Sequence, residues 1–262
     1  MKPELIVSDW NGTLMTDRDD KAVLKQIGMD ELKHALKTLR FGRVRELART
    51  KKRLEEMTDK YRDDPESQAR LLMETYKLYF LEVIDGLPLS RMLKSVRRYA
   101  SKAVDRLDPA FDELLMANKD HITTMILTSA LYDGVCEVTR RRGASLSVSG
   151  SGFGITKGRL TGLELRNYDN KHEVLENIVE LRNYDNKREA LENSVSHIKP
   201  PERVVYMGDD FRDEQCAGVA DTFVVAPLAT DDFRQHMAST YGGKVRTPGR
   251  KPKEVYNALT MD

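Results

Sequence analysis

The run Leu5-Ile6-Val7-Ser8-Asp9-Trp10-Asn11-Gly12-Thr13 decides the fold. Residues 4–8 are short, apolar and rich in β-branched side chains, which predicts a buried strand ending at Asp9. An acid at the C-terminal end of a buried strand points into the crevice where α/β sheets bind ligands. Gly12 permits a tight turn in which backbone N–H groups face a phosphate. The plainer reading of the same residues is an ordinary strand-end turn.

The next hundred residues have a different texture. From about Asp19 to Asn118 the chain is rich in Lys, Arg, Glu, Leu and Met at helical spacing. Leu32, Leu36 and Leu39 are expected on one face, as are Leu47, Leu54 and Met57 to Tyr61. Asp64-Pro65-Glu66 is a helix start. Leu72, Tyr76, Tyr79, Phe80 and Val83 follow as an apolar face, closed by Gly86 and Pro88. Ser90 to Val104 predicts another helix, and Asp108-Pro109 starts one more.

From Ile122 strands and helices alternate. A strand over Ile122 to Leu127 precedes a helix over Tyr132 to Arg142, stopped by Gly143. A glycine-bearing hairpin over 145–163 follows. Beyond it come a helix, the strand Val204 to Met207, a short helix over Asp213 to Ala220 and the strand Thr222 to Val225. Helices over 231–240 and 252–259 close the chain. This alternation predicts a parallel α/β sheet. The core is expected over 1–16 and 119–262, with an all-helical insertion over 17–118.

Three further groups carry chemistry. Met207-Gly208-Asp209-Asp210-Phe211-Arg212-Asp213 crowds carboxylates at the end of another strand. Close like charges are costly unless a cation sits among them, and oxygen-only ligands favour Mg²⁺. A solvated acidic turn is the alternative. Thr128-Ser129-Ala130, also at a strand end, sets hydroxyls beside helix N-terminal amides, a pattern that serves anions and ordinary N-caps alike. Lys187 lies 21 residues before Gly208 and would offset the carboxylates.

In their order along the chain these four groups resemble the motif set of the haloacid dehalogenase superfamily of phosphohydrolases. Asp9-x-Asn11-Gly12-Thr13 is similar to the first motif, Ser129 (or Thr128) to the second, Lys187 to the third and Asp209-x-x-x-Asp213 to the fourth. The resemblance implies a Rossmann-like three-layer α/β/α core with residues 17–118 as a helical cap. Arg142-Gly143 and the hairpin with Gly158-Arg159-Leu160-Thr161-Gly162 resemble the phosphoserine-phosphatase branch.

The implied activity is Mg²⁺-dependent hydrolysis of a small phosphorylated metabolite. Asp9 would attack phosphorus and form an aspartyl-phosphate. Asp9, the backbone carbonyl of Asn11 and Asp209 would bind Mg²⁺, and Asp213 would ligate the ion or orient a water on it. Gly12, Thr13, Thr128, Ser129 and Ala130 would hold phosphate oxygens, and Lys187 the nucleophile and phosphate.

The chain departs from the family at Asn11, where these phosphatases carry an Asp that protonates the leaving group and later activates water. An amide does neither. Slow turnover is one expectation. A phosphate-binding or regulatory protein of the same fold, or a phosphotransferase, is the alternative. Asp17, Asp19 and Asp20 are nearby substitutes for the missing acid.

A repeat makes the lysine ambiguous. Leu165-Arg-Asn-Tyr-Asp-Asn-Lys171 recurs as Leu181-Arg-Asn-Tyr-Asp-Asn-Lys187, sixteen residues on. In one continuous helix that is an advance of roughly 24 Å, so only one lysine reaches the site. Spacing favours Lys187, and Lys171 serves if the second copy loops out.

Composition bounds the rest. Lys and Arg number 43 against 42 Asp and Glu, a net charge of +1, which excludes a bulk electrostatic nucleic-acid binder. No apolar run approaches the ~18 residues of a membrane span. Cys136 and Cys216 have no metal-ligand spacing, and no leader-like segment precedes Leu5; both predict a cytoplasmic protein. Trp10 is expected to pack or shield the site. Tyr76, Tyr79 and Phe80 read as core more readily than as a substrate platform. Arg43 and Arg91 are candidates for a substrate carboxylate, against the plainer reading of solvated helix faces. No motif speaks to oligomeric state.

Overall fold

A computed structural model describes residues 2–16, 22–60, 78, 80–128, 130–144, 146–166, 187–188, 191–192, 195 and 201–261. Seven strands form one sheet: β1 Leu5–Ser8, β2 Thr123–Leu127, β3 Ser147–Thr156, β4 Arg159–Arg166, β5 Val204–Gly208, β6 Thr222–Val225 and β7 Val245–Arg246. Their order is β4-β3-β2-β1-β5-β6-β7. All neighbours are parallel except the β3–β4 hairpin. Leu5 pairs with Thr123 on one side and Val204 on the other.

The period of two along a strand sorts the side chains between two faces. Ile6, Ile126, Val205, Met207 and Val224 enter one core. Leu5, Val7, Met125, Leu127, Val204, Tyr206, Phe223 and Val225 enter the other. Helices α4 (Pro109–Lys119), α5 (Tyr132–Arg141) and α7 (Pro252–Thr260) cover the first face with Phe111, Leu114, Val135, Val138 and Leu259. Helix α6 (Asp231–Tyr241), with Phe233 and Met237, and Leu191 cover the second. The result is a three-layer α/β/α core of Rossmann type.

Between β1 and β2 lie α1 (Ala22–Lys37), α2 (Phe41–Lys60), a π-helical turn at Phe80–Ile84, and α3 (Leu89–Ala103). They share a third core with Val23, Leu24, Ile27, Leu47, Val83, Ile84, Met92 and Val96. Phe153 and Leu160 of the β3–β4 hairpin complete it, so the glycine-rich hairpin is the dock for the helical insertion. The backbone joins there too: Gly86 N–H donates to the Leu160 carbonyl at 2.9 Å, and Leu160 N–H returns to Leu87 at 3.0 Å. Helix α4 falls within the same stretch of sequence but packs on the sheet. Its start is as expected, with the Asp108 side chain accepting from Ala110 N–H and Pro109 in the first turn.

Two expectations are corrected. Leu36 and Leu39 do not join Leu32 on an apolar face; they are 48% and 70% exposed. Helix α1 ends at Lys37, and its buried face is set by Val23, Leu24, Ile27, Glu31 and Ala35. Leu39 lies beyond it in a left-handed corner with φ 53°. The short helix expected from Asp213 is a 3₁₀ turn over Glu214–Gly218, because Asp213, Cys216 and Val219 close i→i+3 bonds. The helix start at Asp64, Leu72, Tyr76, Tyr79, the first copy of Leu-Arg-Asn-Tyr-Asp-Asn-Lys beyond Arg166, and Lys171 lie outside the described residues. Among the described residues no helix is long and apolar enough to cross a membrane.

Helix α1 seats closely on α5. A Cβ at Gly134 would fall 2.5 Å from Val23 Cγ2 and 3.5 Å from the Tyr99 ring. Gly134→Ala is therefore expected to cost about 1–3 kcal/mol by overpacking. Val23→Ala in the same chain should recover part of that loss, read as the urea unfolding midpoint.

Candidate active site

The strand order brings the sequence groups together. β2, β1 and β5 are adjacent and parallel, so their C-terminal ends open at one edge of the sheet. Asp9 follows β1, Thr128 follows β2, and Asp209 follows β5. Asp9 N–H donates to the Met207 carbonyl at 2.9 Å, which ties the two acidic ends together.

After Asp9 the chain turns sharply. Leu14 and Met15 N–H both donate to the Trp10 carbonyl at 2.9 Å, and Gly12 N–H donates to Met15 at 2.8 Å. Gly12 has φ +79°, and a Cβ there would fall 2.2 Å from Asp209 Oδ2. Both the backbone angle and the space require glycine. Trp10 is fully buried and meets Phe111 edge-to-face, with centroids 6.2 Å apart. It packs beneath the turn, as expected.

Asp9, Asp209 and Asp213 are all buried and offer oxygens within 4.8 Å of one another. Lys187, also buried, donates to Asp9 Oδ1 at 2.8 Å and to Asp213 Oδ1. It sits on a helical face with Leu191 and Val195, which anchor in the sheet core. The second copy of the repeat thus supplies the lysine at the carboxylates.

Asp213 is fully engaged. Its Oδ1 also accepts from the Tyr206 hydroxyl at 2.7 Å, and its Oδ2 from the backbone N–H of Asp209 (3.0 Å) and Asp210 (3.3 Å). A Cβ at Gly208 would collide with this carboxyl at 2.5 Å. Thr13, expected at the phosphate, donates its hydroxyl to Asp209 Oδ1 at 3.0 Å. Asp210 turns away and is held by Arg212. Asn11 is buried in the turn. Thr128 Oγ1 accepts from Ala130 N–H at 2.9 Å, an N-cap-like turn at the mouth of the crevice. Ser129, Asp17, Asp19 and Asp20 lie outside the described residues.

The electrostatics follow from three buried acids beside one ammonium, which pairs with Asp9 and Asp213. Burial pushes the Asp9 carboxyl well above the usual range; Lys187 opposes this, and Asp213 and Asp209 add to it. Burial also works against the charge on Lys187, but Asp213 and Asp9 outweigh it and hold the ammonium well above its ordinary value. Tyr206 is pushed up by burial and then by Asp213, so it is a neutral donor. Burial, with Asp213 adding, lifts the Cys216 thiol to about 12. It is no nucleophile.

Sequence reasoning missed Tyr206. Its one signal is a polar tip among apolar strand residues, two positions before Gly208. Arg43 and Arg91 are engaged within the insertion: Arg91 pairs with buried Glu31, and Arg43 with Glu46 and the Val83 carbonyl.

Two variants test the geometry. Tyr206→Phe removes one donor from a buried carboxylate and is expected to cost about 1–3 kcal/mol in urea unfolding, with the overall fold kept. Gly12→Ala should cost more and abolish any stabilisation by divalent cations, read as the thermal midpoint with and without Mg²⁺.

The sequence matches no family model and no curated protein. The structure matches solved structures along nearly its whole length. Cytosolic 5'-nucleotidase IIIB bound to cytidine is 15% identical over 98% of this chain and 86% of that one, with a TM-score of 0.60. A HAD-family hydrolase of Salmonella enterica subsp. enterica serovar Typhi is 13% identical over 98% and 71%, at 0.55. Phosphoserine phosphatase, as a phospho-aspartyl intermediate analogue, is 14% identical over 96% and 95%, at 0.52. At such identities the likeness is one of fold. The chain has the fold of the haloacid dehalogenase (HAD) phosphohydrolases.

Proposed function

We propose that the protein is a Mg²⁺-dependent phosphomonoesterase that acts on a small phosphorylated metabolite in the cytoplasm, with Asp9 as nucleophile and the helical insertion as its cap. The observation that carries this reading is the buried set Asp9, Asp209 and Asp213 around the single ammonium of Lys187. The phosphatases and nucleotidase of like fold support it.

The residues present fit a hard dication. The donors are all oxygen, the local charge is negative, and Gly12 leaves the face of Asp209 clear. Asp9 and Asp209 would hold the ion, with the Asn11 carbonyl. Asp213, whose oxygens are taken up by Lys187, Tyr206 and two backbone amides, acts through its neighbours as a positioning residue. When bound, the ion supplies charge neutralisation to the phosphoryl oxygens.

The chain's own residues then carry the steps. An Asp9 carboxylate oxygen attacks phosphorus, the P–O bond to the substrate alcohol breaks, and the aspartyl-phosphate forms. The departing alkoxide takes its proton from solvent, because the Asn11 amide has none to give. Water then attacks phosphorus, the P–O bond to Asp9 breaks, and the carboxylate and inorganic phosphate are regenerated with loss of one proton to solvent. Lys187 holds Asp9 in place at 2.8 Å and keeps phosphate charge tolerable in the crevice. Thr128, Ser129 and the Thr13 N–H would hold phosphate oxygens, while the Ala130 and Gly12 N–H groups, expected there, are bonded to Thr128 Oγ1 and the Met15 carbonyl and shape the two turns. Positioning and charge neutralisation dominate such transfers.

Asn11 favours a second reading, a protein that binds phosphate and has lost turnover. Release of p-nitrophenol from p-nitrophenyl phosphate decides. The enzyme reading expects Mg²⁺-dependent release that EDTA and Asp9→Ala both abolish. General acid–base help is worth about 10²–10⁴-fold, so Asn11→Asp should raise kcat by about tenfold or more. No release from either protein, with Mg²⁺ still raising the thermal midpoint, leaves the regulatory reading.

A further inference from the structure

Helices α1 and α3 pack through Ile27, Glu31 and Ala35 against Met92 and Val96. Beside that seam lies an open groove of about 410 Å³. One wall is Asp30, Lys33, His34 and Lys37, the i, i+3, i+4, i+7 row of α1. The facing wall is Arg91, Lys94 and Arg98, the i, i+3, i+7 row of α3. Such facing rows are ordinarily apolar in a packed helix pair. Here five lining residues are cationic and two are anionic, a surplus of three positive charges on a chain whose total is +1.

The two acids do not neutralise the groove. Glu31 is buried and spent on Arg91, with Nε to Oε1 at 3.0 Å, and Asp30 is spent on Arg98. Lys33, Lys37 and Lys94 make no ion pair among the described residues, and all three are exposed. The C-terminal dipole of α1 accounts for one or two cations in its last turn. It does not call for a second row on α3.

We propose that this groove binds a multiply charged phosphate anion, at a site separate from the carboxylate cluster. Its size suits a small anion, and the near-neutral chain argues against a nucleic acid. The start of α1 abuts α5 of the core through Val23 and Gly134. Residues 30–37 lie about 12–22 Å further along the helix from Ala22. The site does not depend on the phosphatase reading.

Isothermal titration of the full chain with inorganic tripolyphosphate, without divalent cations, tests it. The wild type is expected to bind, and to weaken as salt rises. The triple variant Lys33→Ala, Lys37→Ala, Lys94→Ala should lose about tenfold or more in affinity at an unchanged thermal midpoint. Asp9→Asn should bind as the wild type does. Vesicles of phosphatidylcholine with and without a phosphoinositide separate the two sources of such an anion. Titration without vesicle retention assigns a soluble ligand, and retention that tripolyphosphate reverses assigns a lipid headgroup; either carries the proposal. No binding by the wild type, full affinity in the triple variant, or loss of binding in Asp9→Asn overturns it.

Discussion

Lys187 Nζ lies between Asp9 and Asp213, with all three groups out of reach of bulk water. Their positions in the chain are 9, 187 and 213, so the contact is possible only in the finished fold. Breaking a buried ion pair on one side costs about 3–5 kcal/mol, because the other charge is left stranded. Much of the surrounding structure acts as provision against that. Tyr206 and the N–H groups of Asp209 and Asp210 are committed to Asp213, while Thr13 is committed to Asp209. At Gly12 and Gly208 a side chain would displace a carboxylate of the cluster. The cluster is still one positive group against three negative ones, and that residue of charge is what a cation and a phosphate together would absorb.

The sheet makes the cluster cheap to assemble. With β1 in the middle and β2 and β5 as parallel neighbours, three strand ends meet at one edge without any long loop. The same sheet positions the helical insertion. β3 runs parallel to β2, then turns back as β4, and the hairpin carries Phe153 and Leu160 into the core of the insertion. The seat of the insertion thus depends on a hairpin whose register shifts between Gly154 and Ile155.

What the sequence discloses and what it hides divide on physical lines. The strand ends are legible because a short apolar run that stops at an acid fits little besides a buried strand opening on a crevice. Asp9 and Asp209 share that signal, and Asp213 follows in the acidic turn after the second. The choice between Lys171 and Lys187 is not legible in local terms, because the repeat gives both lysines the same preceding residues. Only the path of the chain separates them, and it is Lys187 that meets Asp9. Tyr206 is hidden because a strand tyrosine facing an apolar layer looks like core, and its hydroxyl finds Asp213 only through the turn after Gly208. Leu36 misleads because it lies off the face of α1 that Val23, Leu24, Ile27 and Ala35 bury, and Leu39 because the spacing continues past the end of the helix into a left-handed corner. The groove between α1 and α3 is a property of two rows facing each other, and neither row alone is unusual on a solvated helix.

A net charge of +1 conceals two opposed local fields. The carboxylate cluster repels a phosphate until a cation is present, so its affinity for anions is conditional on metal. The groove on α1 and α3 attracts the same class of ligand directly, through Lys33, Lys37 and Lys94. The two proposed sites would respond oppositely to divalent cations. On the proposed reading Mg²⁺ would strengthen phosphate at the cluster, whereas it would compete with the groove for a polyphosphate by chelating it in solution. Asn11 sharpens the contrast. A fourth carboxylate at that position would deepen the negative field and speed proton transfer. The amide leaves a site that can hold a phosphate with little chemical urgency. If both proposals hold, slow turnover at one site beside a metal-independent anion site at the other would make the level of free polyanion, and not only of substrate, set how the protein is occupied.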